Sequence, residues 1–130
     1  MILADTDICI EILRGSQNVL QRMESSEEVI AISFITVGEL FYGAEKSQFK
    51  TKNLLLVEEF LLATPVIHSS NRIMKRFGTI KSELEKIGQI IPDADILIAA
   101  TALCECSKLI SGNIKHLKRI PELNVQNWIC

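Results

Sequence analysis

The 130-residue sequence lacks the short motifs that identify several large enzyme classes. It contains no P-loop, no G-x-G-x-x-G fingerprint and no G-x-S-x-G nucleophile elbow. Its two histidines, His68 and His116, are too few and too scattered for a catalytic triad or a histidine ligand set. Motif evidence for nucleotide binding and for serine-hydrolase chemistry is therefore absent, and any chemistry must come from other residues.

The sequence also lacks a long apolar run and a strong charge of either sign. No run approaches the roughly 20 apolar residues that a bilayer-spanning helix needs, so no membrane association is predicted. No signal peptide is visible behind Met1, and we expect a cytoplasmic protein. The formal net charge of −2 and the pI of about 5.7 argue against broad, charge-driven binding of nucleic acid, although a local basic patch is compatible with it.

The four cysteines do not form a recognisable metal or disulfide framework. Their spacing matches no zinc pattern, and Cys104 and Cys106 lie two residues apart on a predicted helix, where their side chains face different sides. We interpret Cys9, Cys104, Cys106 and Cys130 as buried thiols in a reducing compartment.

What the sequence does contain is an alternation of short apolar runs with stretches of helical periodicity. Strands are predicted at residues 1–4, 29–32, 64–67 and 108–111, with a fifth candidate at 123–126. Helices are predicted between them, the longest over residues 69–87. This alternation predicts one α/β domain over residues 1–130, with a central, mainly parallel sheet of about four to five strands flanked by helices.

Two carboxylates stand at the start of a buried helix in the segment IIPDADILIAATALCE, residues 90–105. Asp93 follows Pro92 and is suited either to capping the helix or to a functional site. Asp95 lies inside the first turn, where a cap is no longer needed, so it is the better candidate for binding a cation.

Three further acids have a structural or a functional interpretation. Asp7 directly precedes an apolar helical pattern and is expected to cap it, which leaves Asp5 at a strand end with no local duty. Glu39 either completes a capping box with Thr36 or contributes to a site. Sequence alone leaves both alternatives open for Glu39.

These acids are expected to converge at one edge of the sheet. In parallel α/β sheets, ligands bind beyond the carboxyl ends of the strands, where strand order reverses. Asp5 ends the first strand, and Ser111 and Asn113 follow the fourth, although Asn113 also suits a simple turn. A carboxylate cluster without histidine or cysteine partners points to a hard cation, Mg²⁺ or Mn²⁺, and so to phosphodiester hydrolysis.

Four segments in this order resemble the PIN-domain ribonucleases, and most closely the VapC toxins of toxin–antitoxin systems. The segments are ADTDICIEILRG, ISFITVGELFYGAEKS, IPDADILIAATAL and LISGNIKHLKRIPELNVQNW. The resemblance covers essentially the whole chain and implies the PIN-like three-layer sandwich.

The resemblance also implies roles for individual residues. Asp5, Glu39 and Asp95 match the acids that bind Mg²⁺, with Asp95 preferred over Asp93. Asn113 matches the fourth position of the site. The secondary positions implied are Thr6 and Ser111, as small hydroxyl residues lining the site, and Asp93.

The implied activity is Mg²⁺-dependent endoribonuclease cleavage of tRNA or rRNA, which inhibits translation and growth. The implied partners are a VapB-type antitoxin and a second copy of the chain in a homodimer. One alternative is a catalytically degenerate PIN domain that binds RNA or antitoxin without cutting. Another is a receiver-type signalling module, which the sequence disfavours because no Asp follows the strand ending at Val66-Ile67-His68.

One basic helix face has its own alternatives. Either it binds RNA or, as we favour, it is simply a solvated face interrupted by Glu83 and Glu85. Its cations are Arg72, Lys75, Arg76, Lys81 and Lys86.

Overall fold

The computed structural model describes residues 1–129. Cys130, one of the four predicted buried thiols, lies outside the described residues. The strands are β1 (Ile2–Ala4), β2 (Ile30–Ser33), β3 (Val66–Ile67), β4 (Leu109–Ile110) and β5 (Val125–Gln126). The helices are α1 (Thr6–Leu13), α2 (Gln17–Ser25), α3 (Phe34–Glu45), α4 (Lys50–Ala63), α5 (Asn71–Lys86), α6 (Asp93–Glu105) and α7 (Ile114–Leu117).

The strands form one sheet in the order β3-β2-β1-β4-β5, and every neighbouring pair is parallel. The predicted α/β class, the parallel sheet and its fifth strand are therefore confirmed. The central strand β1 pairs Leu3 with Ala31 on one side and with Leu109 on the other. This order differs from the 2-1-3-4-5 order of receiver-type folds, which excludes that alternative.

Helices cover both faces of the sheet and produce the expected three layers. Strand side chains alternate between the faces, so Leu3 packs with α5 and α6, whereas Ile2 and Ala4 pack with α1, α3 and α4. Helix α6 is buried along most of its length, as its alanine-rich sequence predicts. Each core is thus built from one sheet face and its helices, and the strand ends are left for the site.

Several local predictions need adjustment. Helix α4 begins at Lys50, so only residues 46–49 separate it from α3. Helix α5 ends at Lys86, so Ile87 is 65% exposed rather than part of the apolar face. The short helix α7 was not predicted.

The cysteine and membrane expectations can be compared with residues 1–129. Cys9, Cys104 and Cys106 are all free thiols, but only Cys9 is fully buried, and the prediction of burial is wrong for the other two. Among the described helices, none is both long enough and apolar enough to span a membrane.

Candidate active site

The candidate site lies where the strand order reverses, between β1 and β4. Asp5 directly follows β1, and Ser111 directly follows β4. The Ser111 hydroxyl donates to Asp5 Oδ2 at 2.7 Å, and it accepts from the Asn113 backbone N–H at 2.9 Å. The two neighbouring strand ends are therefore joined by side-chain hydrogen bonds at this switch point, as the topology predicts.

Asp5, and not Asp7, caps helix α1. The Asp5 Oδ1 atom accepts from the Thr6 backbone N–H at 2.8 Å, so the prediction that Asp7 is the cap was wrong. The helix begins directly after Asp5, which places the capping position two residues earlier than the apolar pattern indicated. Asp5 thus caps α1 and still contacts Ser111 at the switch point.

Burial strongly perturbs Asp5. Asp5 is only 6% exposed, and its burial raises the pKa of its carboxyl group from 3.8 to about 6. The hydrogen bond from Ser111 acts in the opposite direction and lowers the pKa, while the negative charges of Asp7 and Asp95 raise it further. The carboxylate is therefore kept ionised only at a free-energy cost.

Asp7 lies in the first turn of α1 and connects this helix to the loop after β4. Its Oδ2 atom accepts from the Gly112 backbone N–H at 2.8 Å, while its buried Oδ1 atom has no hydrogen-bond partner within residues 1–129. Burial also raises the pKa of Asp7, and the Asp95 charge adds to this effect. A Cβ at Gly112 would lie 2.9 Å from Asp7 Oδ2 and 2.8 Å from Ile129 Cδ1, so a larger residue there would force both side chains to move.

Asp95 is held from the α7 side of the site. The Asn113 side-chain amide donates to Asp95 Oδ2 at 3.2 Å, and His116 Nδ1 lies 3.3 Å from the same oxygen. Sequence reasoning missed His116, because two distant histidines suggested no ligand set. The available signal was its spacing of three residues from Asn113, which places both side chains on one face of a helical turn.

Glu39 is placed by a contact with α1 and not by a capping box. Ser33 is the N-cap of α3, since its hydroxyl accepts from the Ile35 N–H at 3.2 Å. The capping-box interpretation is therefore wrong, because Glu39 lies well inside the helix. Its Oε1 atom instead accepts from the Thr6 hydroxyl at 2.6 Å, which brings Glu39 next to the residue that follows Asp5.

Asp93 lies apart from this group and caps nothing through its side chain. Helix α6 begins behind Pro92 with no side-chain cap, and Asp93 forms an ion pair with Lys81 at 3.0 Å. Asp93 is exposed, whereas the Asp95 side chain is only 19% exposed. Neither alternative for Asp93, the helix cap or the acid cluster, matches these contacts.

The basic face of α5 is largely neutralised by acids. Arg72 pairs with Glu105 at 3.2 Å. Arg76 pairs with Glu122 at 2.9 Å, and Lys81 pairs with Asp93 as described above. Pairing favours the interpretation of this face as a solvated surface.

The three aspartates at the switch point have little positive charge beside them. No ion pair within residues 1–129 joins a lysine or an arginine to Asp5, Asp7 or Asp95, and His116 is the one basic side chain in contact with them. Burial and, to a smaller extent, the repulsion between these aspartates raise the pKa values of Asp5 and Asp7, so a bound cation would relieve an unfavourable charge.

The carboxylate oxygens at the switch point suit a hard cation, but their geometry restricts how many of them can bind it. As they stand, no three acidic, histidine or cysteine side chains among the described residues are arranged to hold one ion. Mg²⁺ commonly binds through one or two carboxylates and keeps several waters, which this arrangement allows. The buried Asp7 oxygen without a partner also leaves an acceptor for an ion or its water. The residues therefore suit Mg²⁺ better than a metal that needs a complete protein cage.

Comparison with known proteins defines the class to which this fold and site belong. Residues 2–123 match the family model of the PIN domain. Ribonuclease VapC2 of Haemophilus influenzae is 36% identical over 126 residues, 96% of each chain. The tRNA(fMet)-specific endonuclease VapC of Salmonella typhimurium is 30% identical over 125 residues, 95% of each chain.

A solved structure agrees with these sequence matches. The VapBC2 complex of Rickettsia felis, bound to a DNA fragment from its promoter, contains a chain that superimposes with a TM-score of 0.91. That chain is 36% identical, and the match covers 98% of this chain and 99% of that one. This chain therefore belongs to the VapC group of the PIN-domain family, which confirms the family resemblance in the sequence.

Proposed function

We propose that this chain is a metal-dependent endoribonuclease and the toxin of a toxin–antitoxin pair. The observation that carries the proposal is the group of Asp5, Asp7 and Asp95 at the sheet switch point, which no lysine or arginine among residues 1–129 neutralises. Such a cluster suits a hydrated divalent cation, and relatives of this chain are named as ribonucleases. Hydrolysis of RNA is a reaction that would use such a cation and that agrees with the names of these relatives.

The residues that would hold Mg²⁺, or Mn²⁺ in its place, directly or through its waters are Asp5, Glu39 and Asp95. When bound, the ion supplies a Lewis acid and lowers the pKa of an attacking water. Asn113 acts through Asp95, because its amide donates to that carboxylate and so fixes its orientation. Ser111 does the same for Asp5 through its hydroxyl.

The test is cleavage of total cellular RNA by the purified protein with Mg²⁺, with Mn²⁺ and with chelator. Asp95→Asn is the informative variant, and Asp93→Asn is its matched control two residues away on the same helix turn. We expect discrete metal-dependent fragments from wild type and from Asp93→Asn, and none from Asp95→Asn. Fragments that persist in chelator or with Asp95→Asn would refute the proposed mechanism.

The same assay decides the second candidate function, a PIN domain that binds without cutting. The absence of three metal-ready side chains within residues 1–129 is the observation that favours it. Failure of the wild type to cleave with either cation would select this candidate. Arrest of growth on expression, relieved by Asp5→Asn, would instead support the toxin, with tRNA or rRNA as the substrate class.

We further propose that an antitoxin of VapB type binds the groove between α1, α3 and α4. This cavity of about 390 Å³ is largely apolar, with Leu13, Leu40 and Leu56 in its wall, and it reaches Glu39 at one end. Related chains were solved as complexes with their antitoxins. An apolar segment in the groove could therefore deliver a basic group to the acids.

The homodimer remains a proposal that the exposed apolar surface supports. Met74 near the start of α5 is 44% exposed, and Ile87 and Ile90 just beyond its end are 65% and 68% exposed. Sedimentation analysis of the purified chain tests it, and a monomer at all concentrations would refute it.

A further inference from the structure

Thr6 contacts two of the proposed metal-binding acids at once. Its backbone N–H donates to Asp5 Oδ1 at 2.8 Å, and its hydroxyl donates to Glu39 Oε1 at 2.6 Å. These acids are 34 positions apart in the sequence, on different elements. Thr6 therefore fixes the spacing between the carboxylate after β1 and the carboxylate on α3.

A second threonine, Thr36, lies within hydrogen-bond distance of Thr6. Thr36 is fully buried, with 0% exposure, and its Oγ1 atom lies 3.0 Å from Thr6 Oγ1. Thr36 and Glu39 are three residues apart on α3, so they share one face of that helix. Among the described residues, Thr36 forms no hydrogen bond with Glu39 itself.

The direction of these hydrogen bonds follows from counting protons. A threonine hydroxyl carries one proton, and an ionised carboxylate can only accept. Thr6 gives its proton to Glu39, so it can only accept from Thr36. The order of donation is therefore Thr36 to Thr6 to Glu39. The 2.6 Å length of the last step is typical of a hydrogen bond to a charged oxygen.

We propose that Thr36 is a positioning residue for Glu39, acting through the Thr6 hydroxyl. With Thr36 as donor, the Thr6 hydroxyl has one orientation, and it holds Glu39 Oε1. The Glu39 Oε2 atom accepts no hydrogen bond from the described residues and is the oxygen left for a cation or its water. The metal part of this inference rests on the proposed function, whereas the orientation of Glu39 does not.

Two substitutions at position 36 separate positioning from packing. Thr36→Val keeps the shape of the side chain but removes the hydroxyl, whereas Thr36→Ser keeps the hydroxyl but removes a buried methyl group. Thr101→Val is the matched control, because Thr101 is also buried and its hydroxyl donates to a backbone carbonyl, that of Leu97 at 2.8 Å.

The first readout is Mg²⁺ affinity by titration calorimetry, compared with Tm in chelator. We expect Thr36→Val to weaken Mg²⁺ binding about tenfold, as loss of an indirect metal-site contact does, with Tm unchanged or raised. Thr36→Ser should lower Tm but keep the wild-type affinity, and Thr101→Val should also keep it. A purely structural role predicts the reverse ranking at position 36, with serine the poorer binder, and that ranking would overturn the proposal.

The second readout needs no metal. In chelator, three-bond NMR couplings of Glu39 should report one side-chain rotamer in wild type and in Thr36→Ser, and rotamer averaging in Thr36→Val. Equal couplings in wild type and Thr36→Val would overturn the inference. If wild type binds no Mg²⁺, the proposed function fails, and the couplings still decide whether Thr36 positions Glu39.

Discussion

Replacement of the buried Asp5 carboxylate by its neutral isostere should remove activity and stabilise the metal-free protein. Burial raises the pKa of Asp5 from 3.8 to about 6. At about 1.4 kcal/mol per pKa unit, ionised Asp5 lowers the free energy of unfolding by about 3 kcal/mol above pH 6. Asp5→Asn escapes this penalty. When its Oδ1 keeps the hydrogen bond from the Thr6 N–H, however, the NH2 group in place of Oδ2 cannot accept from the Ser111 hydroxyl, and this loss costs about 1 kcal/mol.

The predicted difference changes sign with pH. The folded protein binds more protons than the unfolded chain between about pH 4 and pH 6, so wild-type stability falls as pH rises through that window. At pH 7.5 Asp5→Asn should be more stable by about 2 kcal/mol, which raises Tm by about 8 °C in a chain of this size. Near pH 3.5 wild-type Asp5 is protonated when folded, and the variant should be less stable by about 1 kcal/mol.

The assay is thermal and urea unfolding in chelator across this pH range, with Asp93→Asn as the control. Asp93 is exposed, so its replacement should show no such crossing. An Asp5→Asn variant that is less stable than wild type at pH 7.5, or a difference that does not vary with pH, would refute the reasoning from burial.

Three further predictions concern the surroundings of the site. Gly112→Ala should lower stability by about 1–3 kcal/mol because the added Cβ has no room, whereas Gly78→Ala in an open helical position should raise it by about 0.5–1 kcal/mol; urea unfolding measures both. Leu56→Glu in the groove should weaken antitoxin binding at least tenfold, and Leu62→Glu, 90% exposed and outside the groove lining, should not; equal affinities would remove the groove as the binding surface. Lys75→Glu should leave the salt dependence of RNA binding unchanged, and a shallower slope would restore the basic helix face as an RNA surface.

The architecture could be predicted from the sequence because its signals are periodic and repeated. Strand β1 is apolar over its whole length and helix α6 is apolar over residues 96–100, and each lies where the pattern placed it. Parallel topology then brings Asp5 and Ser111 to one edge of the sheet without any knowledge of side-chain contacts. An error of a residue or two at the end of one element does not change a pattern repeated along the chain, so the order of the elements could still be predicted.

The contacts inside the site could not be predicted, because they depend on offsets of only two or three residues in where a helix begins. The cap of α1 is Asp5 rather than Asp7, and the cap of α3 is Ser33 rather than Thr36. In both cases the helix begins directly at the strand end, with no intervening turn. His116 escaped prediction because the one-turn helix α7 is too short to leave a periodic signal.

Mg²⁺ and stability should be linked through the same carboxylates. A ligand that binds only the folded state at 100 times its dissociation constant stabilises a protein by about 2.7 kcal/mol, which is close to the penalty expected from Asp5. Mg²⁺ should therefore raise the Tm of wild type at pH 7.5 and have little effect on Asp5→Asn, so that the advantage of the variant in chelator shrinks or disappears. Equal shifts in both proteins would mean that the ion binds elsewhere, because a cation held at the switch point must lose most of its attraction when that buried charge is removed.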